Sequence, residues 1–315
     1  MKNSMLVHPE ELSIEWIDSL AEAGVGAIGI HPWGGKHAIG ALKELLEMLK
    51  TEEYRSLVDY AHSRGIQVEY ELHAAGYLMP RELFDEHPDY FRMNEDGQRT
   101  NDWNLCASNP EAVELFAKRA AELAPSLYGS TPNFYFWLDD GHGLNCHCPK
   151  CKALSPSDQQ QLLINRMLRE IRRYIPNARM AYLAYMDSIV PPASVSVDEG
   201  VFLEYAPFEK YVAKGEDAAE LIERERQMIL PLMKYYGKEP KKVLEYWYDN
   251  SLYSHWKKPP AKFILNEEKM AKETDEYFDM GFDCISTFAC FLGSDYRELY
   301  GEVDVKPFGK CVNSK

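Results

Sequence analysis

Short apolar runs alternate with longer stretches whose apolar residues recur every three to four positions, and the alternation continues along the whole chain. Short runs bounded by turn residues read as buried strands, and the longer periodic stretches read as amphipathic helices. The strand candidates are Ser4–Val7, Val25–Ile30, Ile66–Leu72, Asn133–Leu138, Arg179–Tyr185, Val201–Tyr205, Lys242–Tyr248 and Cys284–Phe288. Helical patterns fall between them at Glu10–Ala23, Ala38–Ser63, Pro110–Leu123, Ser157–Tyr174, Glu216–Tyr235 and Asn266–Met280. Ser108-Asn109 before Pro110 and Ser157 are start signals, and Gly281 is a stop signal.

Eight strands alternating with helices predict a parallel sheet closed as a single (β/α)8 barrel, the α/β class, over residues 1–300, with a C-terminal tail at 301–315. The alternative, a doubly wound open sheet, calls for a G-x-G-x-x-G turn after an early strand. Gly24-Val-Gly26 and Gly34-Gly35 do not fit that pattern. The stretch from His73 to Asn109 is too long for an ordinary strand-to-helix loop and is expected to fold over the barrel mouth. Pro191-Pro192 and Pro259-Pro260 mark two further loops.

Alternate residues of a barrel strand point inward, and active sites form where the strands end. Glu69, Glu71 and His73 share one face of the third strand, which must line the barrel because no barrel strand is exposed on both faces. Glu69 and Glu71 then read as a buried polar network, and His73, at the strand end, as a site candidate. The fourth strand ends at Asp139-Asp140, the sixth carries Glu204, and the seventh carries Glu245 with Trp247 and Asp249. The first two strands end in His8-Pro9 and His31-Pro32-Trp33. Acids, histidines and aromatics thus meet at one rim, with His31, Trp33, His73, Tyr185, Glu204, Tyr205, Trp247 and Asp249 as the expected binding residues. Carboxylates accept hydroxyl hydrogen bonds and aromatic faces stack on apolar ring faces, so a small-molecule or oligosaccharide substrate rich in hydroxyls is favoured.

Composition narrows the classes of partner. A formal charge of −15 with no basic block repels phosphate backbones and anionic membranes, so nucleic acid and membrane surfaces are not expected partners. No run reaches the ~20 apolar residues of a membrane span, and the first residues lack a signal peptide's apolar stretch, which predicts a cytoplasmic protein. The 12% aromatic fraction, including 20 Tyr and 6 Trp, suits a globular chain with an aromatic-lined site.

Seven cysteines include Cys146, Cys148 and Cys151 as C-x-C-x2-C, with Cys106 alone upstream. In a chain that is not secreted this spacing reads as a metal site or reduced thiols before it reads as disulfides. Three thiolates on one loop and Cys106 from the neighbouring loop complete the tetrahedron of a structural zinc ion, Zn2+. His142 and His147 compete as ligands; unmetallated thiols and an iron–sulfur cluster are the other readings. A closed four-thiolate site leaves no position for substrate, so its expected role is to pin two loops of the active site. Cys284, Cys290 and Cys311 show no ligand spacing.

A lone cysteine followed by C-x-C-x2-C just after an acid at the fourth strand's end resembles the zinc-bearing barrel of glycoside hydrolase family 42 β-galactosidases. There the fourth strand ends Asn-Glu, the Glu being the acid/base, and a Glu on the seventh strand is the nucleophile. The wider text is similar to an uncharacterised bacterial family placed near α-glucuronidases, over roughly residues 20–290. The likeness lies in His87-Pro-Asp-Tyr-Phe91, Asn104-Leu-Cys-Ala-Ser-Asn-Pro110, Asp140-Gly, Ala181-Tyr-Leu-Ala-Tyr185 and Leu244-Glu-Tyr246. The resemblance implies a retaining glycoside hydrolase with Asp140 as acid/base, Glu245 as nucleophile, and zinc on Cys106, Cys146, Cys148 and Cys151. Asp139-Asp140 departs from Asn-Glu, shortening the acid and charging its neighbour. Adjacent acids also suit a substrate-assisted N-acetylhexosaminidase, with Asp139 orienting the acetamido group and Asp140 donating the proton. A sugar-binding barrel without hydrolysis is the reading from another class. A uronic acid substrate needs a cation, for which Lys36, Arg81, Arg92 and Arg99 are the loop candidates.

Overall fold

A computed structural model of the chain describes residues 2–215 and 218–314. Strands β1 (Ser4–Val7), β2 (Ala27–Ile30), β3 (Gln67–His73), β4 (Asn133–Trp137), β5 (Arg179–Ala184), β6 (Val201–Tyr205), β7 (Lys241–Glu245) and β8 (Cys284–Phe288) close in sequence order into one barrel. Every neighbouring pair is parallel, with β8 returning to β1. This is the expected (β/α)8 barrel. Apolar positions that face outward pack against the surrounding helices. A second cluster, which includes Leu6, Tyr135, Trp137, Phe202, Leu244, Tyr246 and Phe288, fills the barrel interior.

The helices are α1 (Ile14–Glu22), α2 (Ala38–Met48), α3 (Glu52–Ser63), α4 (Ala75–Leu78), α5 (Pro110–Leu123), α6 (Pro156–Ile171), α7 (Glu209–Val212), α8 (Ala218–Tyr236), α9 (Asn250–Tyr253), α10 (Glu267–Met280), α11 (Ser294–Tyr300) and α12 (Lys306–Val312). Glu216 and Asp217, read as the start of one helix, lie outside the described residues. The long pattern Ala38–Ser63 divides in two because the Thr51 side chain accepts the Tyr54 N–H and caps α3. Ser155, not Ser157, caps α6, sharing a reciprocal capping box with Asp158 while Pro156 takes the first helical position. Asn109 caps α5, and Gly281, at φ 95°, closes α10 in the left-handed region that glycine tolerates best. The stretch after Tyr300, expected as a tail, holds α12, whose Phe308 is fully buried beside α1 and α10.

The segment between His73 and Asn109 contains α4, short 3-10 turns and two antiparallel bridges, Phe91 to Leu105 and Met93 to Arg99. It packs against the loop after β4: Asp139 N–H donates to Asn104 Oδ1 at 3.0 Å and His147 N–H to the Met93 carbonyl at 2.7 Å. No described helix is long and apolar enough to cross a membrane.

Candidate active site

The barrel interior below the mouth is charged. Lys242 Nζ lies 2.7 and 2.6 Å from the two Glu71 oxygens and 2.9 Å from Glu204 Oε1, and it stands 4.3 Å over the Tyr135 ring. Burial alone would pull this ammonium down, but Glu204 and Glu71 more than reverse that and hold it above its ordinary range. Glu69 accepts from Thr131, Asn133 and the Tyr135 hydroxyl, and Glu204 Oε2 accepts from Trp137 Nε1 at 2.9 Å. Glu69 and Glu71 therefore line the barrel, as the alternation requires. Glu204, expected to bind ligand, is instead fully engaged in this floor.

Above the floor the strand ends enclose a cavity of about 530 Å³, within the usual size of a small-ligand site. His8, His31, His73, Trp137, Asp140, Tyr185, Tyr246, Asp249 and Phe288 line it, with Trp33, Lys36 and Trp256 towards solvent. Five of the expected binding residues meet here: His31, Trp33, His73, Tyr185 and Asp249. Asp140, half-buried, is the acid that β4 delivers to the cavity. It stands beside two phenols, the buried Tyr246 and the partly buried Tyr185. Burial first, and then neighbouring charge including Asp140, keeps Tyr185 and Tyr246 protonated well above the ordinary phenol range. Gly34 permits this close assembly, since a Cβ there would meet His73 Cδ2 at 3.1 Å and Asp140 Oδ2 at 3.7 Å.

Asp249 caps α9. Its Oδ1 accepts Ser251 N–H at 3.0 Å, Leu252 N–H at 3.4 Å and the Ser251 hydroxyl at 2.5 Å, while Oδ2 takes none of these bonds. Burial outweighs those donors and pushes the carboxyl up to about 6. Asp139 turns the other way, into an adjoining small pocket, where Arg81 Nη2 donates to it at 3.1 Å. Burial raises its carboxyl and Arg81 opposes the rise. The two adjacent acids therefore do not face one ligand together.

Besides Glu204 and Asp139, three more expected residues fall outside the cavity. Inward positions on β7 are Lys242 and Leu244, followed by Tyr246, so Glu245 and Trp247 point into the layer between barrel and helices. Glu245 is fully buried and accepts from Lys210 of α7, from the Tyr211 hydroxyl at 2.7 Å and from the Tyr277 hydroxyl at 2.5 Å. Trp247 Nε1 donates to Glu273 at 2.6 Å, and the Tyr205 hydroxyl donates to Glu225 at 2.8 Å. The geometry thus removes Glu245, Trp247 and Tyr205 from contact with a ligand in this cavity. Tyr246, one residue on, is the inward group that sequence reasoning missed. Lys242 was the signal for it: several buried lumen acids require a buried cation, and Lys242 has the opposite parity to Glu245.

The four cysteines do converge. All are buried, and one ligand atom from each of Cys106, Cys146, Cys148 and Cys151 lies within 4.8 Å of the others. Cys106 Sγ is 3.7 Å from Cys148 Sγ and 3.9 Å from Cys151 Sγ, near the ~3.8 Å edge of a tetrahedron with metal–sulfur bonds of about 2.3 Å. The donor set fits a four-coordinate metal ion. Met93 N–H and Arg99 Nη1 donate to Cys146 Sγ at 3.3 and 3.7 Å, and Ser108 Oγ lies 3.3 Å from Cys148 Sγ. Gln159 holds the loop backbone: its Nε2 donates to the Cys146 and Cys151 carbonyls and its Oε1 accepts Cys146 N–H. His142 pairs with Asp187 at 2.9 Å, and neither it nor His147 joins the cluster. Among the loop cations, Arg81 is bound to Asp139, Arg92 to Asp102 and Arg99 to the Phe91 carbonyl, while Lys36 reaches the cavity rim.

No curated protein matches the sequence. Solved structures similar in fold include three carbohydrate enzymes. The endo-glycoceramidase II from Rhodococcus sp., in its lactosyl-enzyme form, shares 10% identity at a TM-score of 0.52, over 92% of this chain and 73% of that one. The β-galactosidase from Rahnella sp. R3 shares 13% at 0.57, over 98% of this chain and 55% of that one, so the chain spans about half of that enzyme. A glycoside hydrolase family 5 enzyme from Prevotella bryantii B14 shares 11% at 0.52, over 95% and 85%. At these identities the likeness is one of fold. A family profile described as a domain of unknown function, DUF4838, matches residues 45–247, nearly two thirds of the chain and the part that carries β3 to β7 with the four cysteines and Asp140. The chain belongs to that family, DUF4838.

Proposed function

We propose that the protein is a glycoside hydrolase whose working carboxyls are Asp140 and Asp249. The observation that carries this reading is the pairing of these two acids in one aromatic-lined cavity of about 530 Å³ at the C-terminal ends of the strands. The fold it shares with a β-galactosidase, an endo-glycoceramidase and a family 5 glycoside hydrolase supports the same reading. Asp140, at the end of β4, is the acid/base: its proton goes to the leaving oxygen as the glycosidic bond breaks. Asp249 attacks the anomeric carbon to form a glycosyl ester, and Asp140 then deprotonates the water that releases the sugar. The Tyr185 and Tyr246 hydroxyls, held protonated beside Asp140, are donors to a substrate oxygen or to Asp140 itself.

One observation favours an exchange of roles. Asp249, raised to about 6, keeps its proton closer to neutrality than an ordinary aspartic acid does, which suits a proton donor and would leave Asp140 as the nucleophile. Azide separates the two. With an activated aryl glycoside, azide rescue of the acid/base variant yields a glycosyl azide of retained configuration, and rescue of the nucleophile variant yields the inverted one. Asp140→Ala is expected to give the retained product and Asp249→Ala the inverted product. The opposite pair of products exchanges the roles, and wild-type turnover by both variants without azide defeats the pairing. Binding across a glycoside panel with no turnover by the wild type would leave a sugar-binding barrel.

The substrate-assisted reading loses its orienting group, because Asp139 is committed to Arg81. Zinc is the metal we propose for Cys106, Cys146, Cys148 and Cys151, on the strength of the all-thiolate donor set, as in the site pattern of family 42 β-galactosidases. A closed tetrathiolate ion supplies no reaction chemistry. Its role is to tie the β3–α5 segment to the loop after β4, which carries Asp140.

A further inference from the structure

The ends of β1, β2 and β3 repeat one arrangement. His8 Nδ1 lies 2.8 Å from the His31 carbonyl, His31 Nδ1 lies 2.8 Å from the Glu71 carbonyl, and His73 Nδ1 lies 2.6 Å from the Leu138 carbonyl. Each imidazole reaches across to the backbone of the next strand. A carbonyl oxygen only accepts, so each Nδ1 must carry the proton, and in a neutral ring Nε2 is then a bare acceptor. All three rings line the cavity.

The rings are held in place by aromatic neighbours. Trp33 stacks on His8 at 4.7 Å and 10°, Phe288 meets His31 edge-on at 5.0 Å, and Trp137 meets His73 edge-on at 5.2 Å. His8 is 4% exposed and its Nε2 has no hydrogen-bond partner; His31 is 8% exposed. A buried acceptor left unpaired is costly unless a ligand or water pairs it. Burial lowers both pKa values. The neighbouring Lys258 lowers His8 further while Glu10 and the His31 carbonyl oppose it, and His8 and His73 lower His31 further.

We infer that His8, His31 and His73 form a row of Nε2 acceptors that receives hydrogen bonds from the hydroxyls of one face of a neutral pyranose. This rests on the cavity being a carbohydrate site, and it names the class of sugar. An anionic sugar would set carboxylate lone pairs against imidazole lone pairs, and among the described residues the one lysine that lines the cavity, Lys36, is exposed at the rim. One metal ion is not the occupant, since among the described residues the side chains that converge closely enough to hold one are the four cysteines. The row therefore selects neutral hexosides or pentosides over uronides.

Long-range proton–nitrogen correlation spectra of the 15N-histidine-labelled full chain at pH 7 read the tautomers directly. The expected result is Nδ1–H with unprotonated Nε2 at all three rings. D-Galactose, D-glucose or D-xylose should shift these Nε2 resonances and D-glucuronate should not. Nε2–H or imidazolium at two of the rings, no shift with any of the neutral sugars, or a larger response to D-glucuronate would each overturn the inference. For the sugar that binds, His31→Leu should weaken affinity at least about tenfold, while His31→Gln, which keeps an acceptor, should stay within about threefold. Equal loss in both variants contradicts an acceptor role. Because the tautomers are read without turnover, correct tautomers and sugar-induced shifts in a protein that hydrolyses nothing would defeat the hydrolase and leave the row standing. Turnover with Nε2–H rings would do the reverse.

Discussion

Asp249 is held by three donors on one oxygen and still titrates near 6, because burial costs its charge more than those bonds return. Its folded pKa lies above the ordinary 3.8, so the native state binds this proton more tightly than the unfolded chain does. Its stabilising contribution is complete below pH about 4, falls as pH rises through about 6, and above that the ionised carboxylate is a net cost. Asp249→Asn keeps an oxygen to cap α9 and removes the charge. The variant should be more stable than the wild type at pH 8 by up to about 2 kcal/mol, with the gap closing below pH 4, while glycoside turnover is lost. Chemical denaturation at a series of pH values checks it; a variant less stable at pH 8 than at pH 4, relative to the wild type, contradicts it. Asp249 was readable in sequence as an acid just beyond a strand, but its burial was not, since that depends on α9, which it caps, being held against the segment after β8 by the bond from Asn250 N–H to the Cys290 carbonyl.

Among the elements, the loops after β3 and β4 depend on each other. Cys106 comes from one and Cys146, Cys148 and Cys151 from the other, and the second loop also carries Asp140. Removing the proposed ion with a strong chelator should lower Tm by at least about 5 °C. Amide exchange should rise at residues 91–106 and 141–155 and stay unchanged in the barrel strands. Uniform loosening, or a protein purified without metal and indifferent to zinc, would contradict a clamp. Spacing alone made this cluster legible, because C-x-C-x2-C constrains three ligands within one loop. Helix ends were less so: Ser155 and Thr51 are caps only because the backbone turns there, and Ser157 and the run through Lys50 look equally suitable in sequence.

For the molecule as a whole, the order of the strands was legible because each is a short buried run between helical patterns, although β7, expected to run to Tyr248, ends at Glu245. The facing of a strand is a different matter, since a shift of one residue exchanges its two sides. On β7 both sides carry charge, Lys242 inward and Glu245 outward, and both are buried. Only the completed barrel shows that Lys242 answers Glu71 and Glu204 while Glu245 answers Lys210, Tyr211 and Tyr277. Glu245 is therefore placed as a brace for α7, and the proposed chemistry rests on Asp140 and Asp249, which line the cavity. The direct test is kcat/KM on a panel of aryl glycosides for the wild type, Asp140→Asn and Glu245→Gln, with Tm measured on the same samples. The expected outcome is a loss of at least about 10² in kcat/KM at unchanged Tm for Asp140→Asn, and for Glu245→Gln a Tm lower by at least about 4 °C with kcat/KM within about threefold of wild type. Full activity in Asp140→Asn, or its loss in Glu245→Gln at unchanged Tm, would contradict the account.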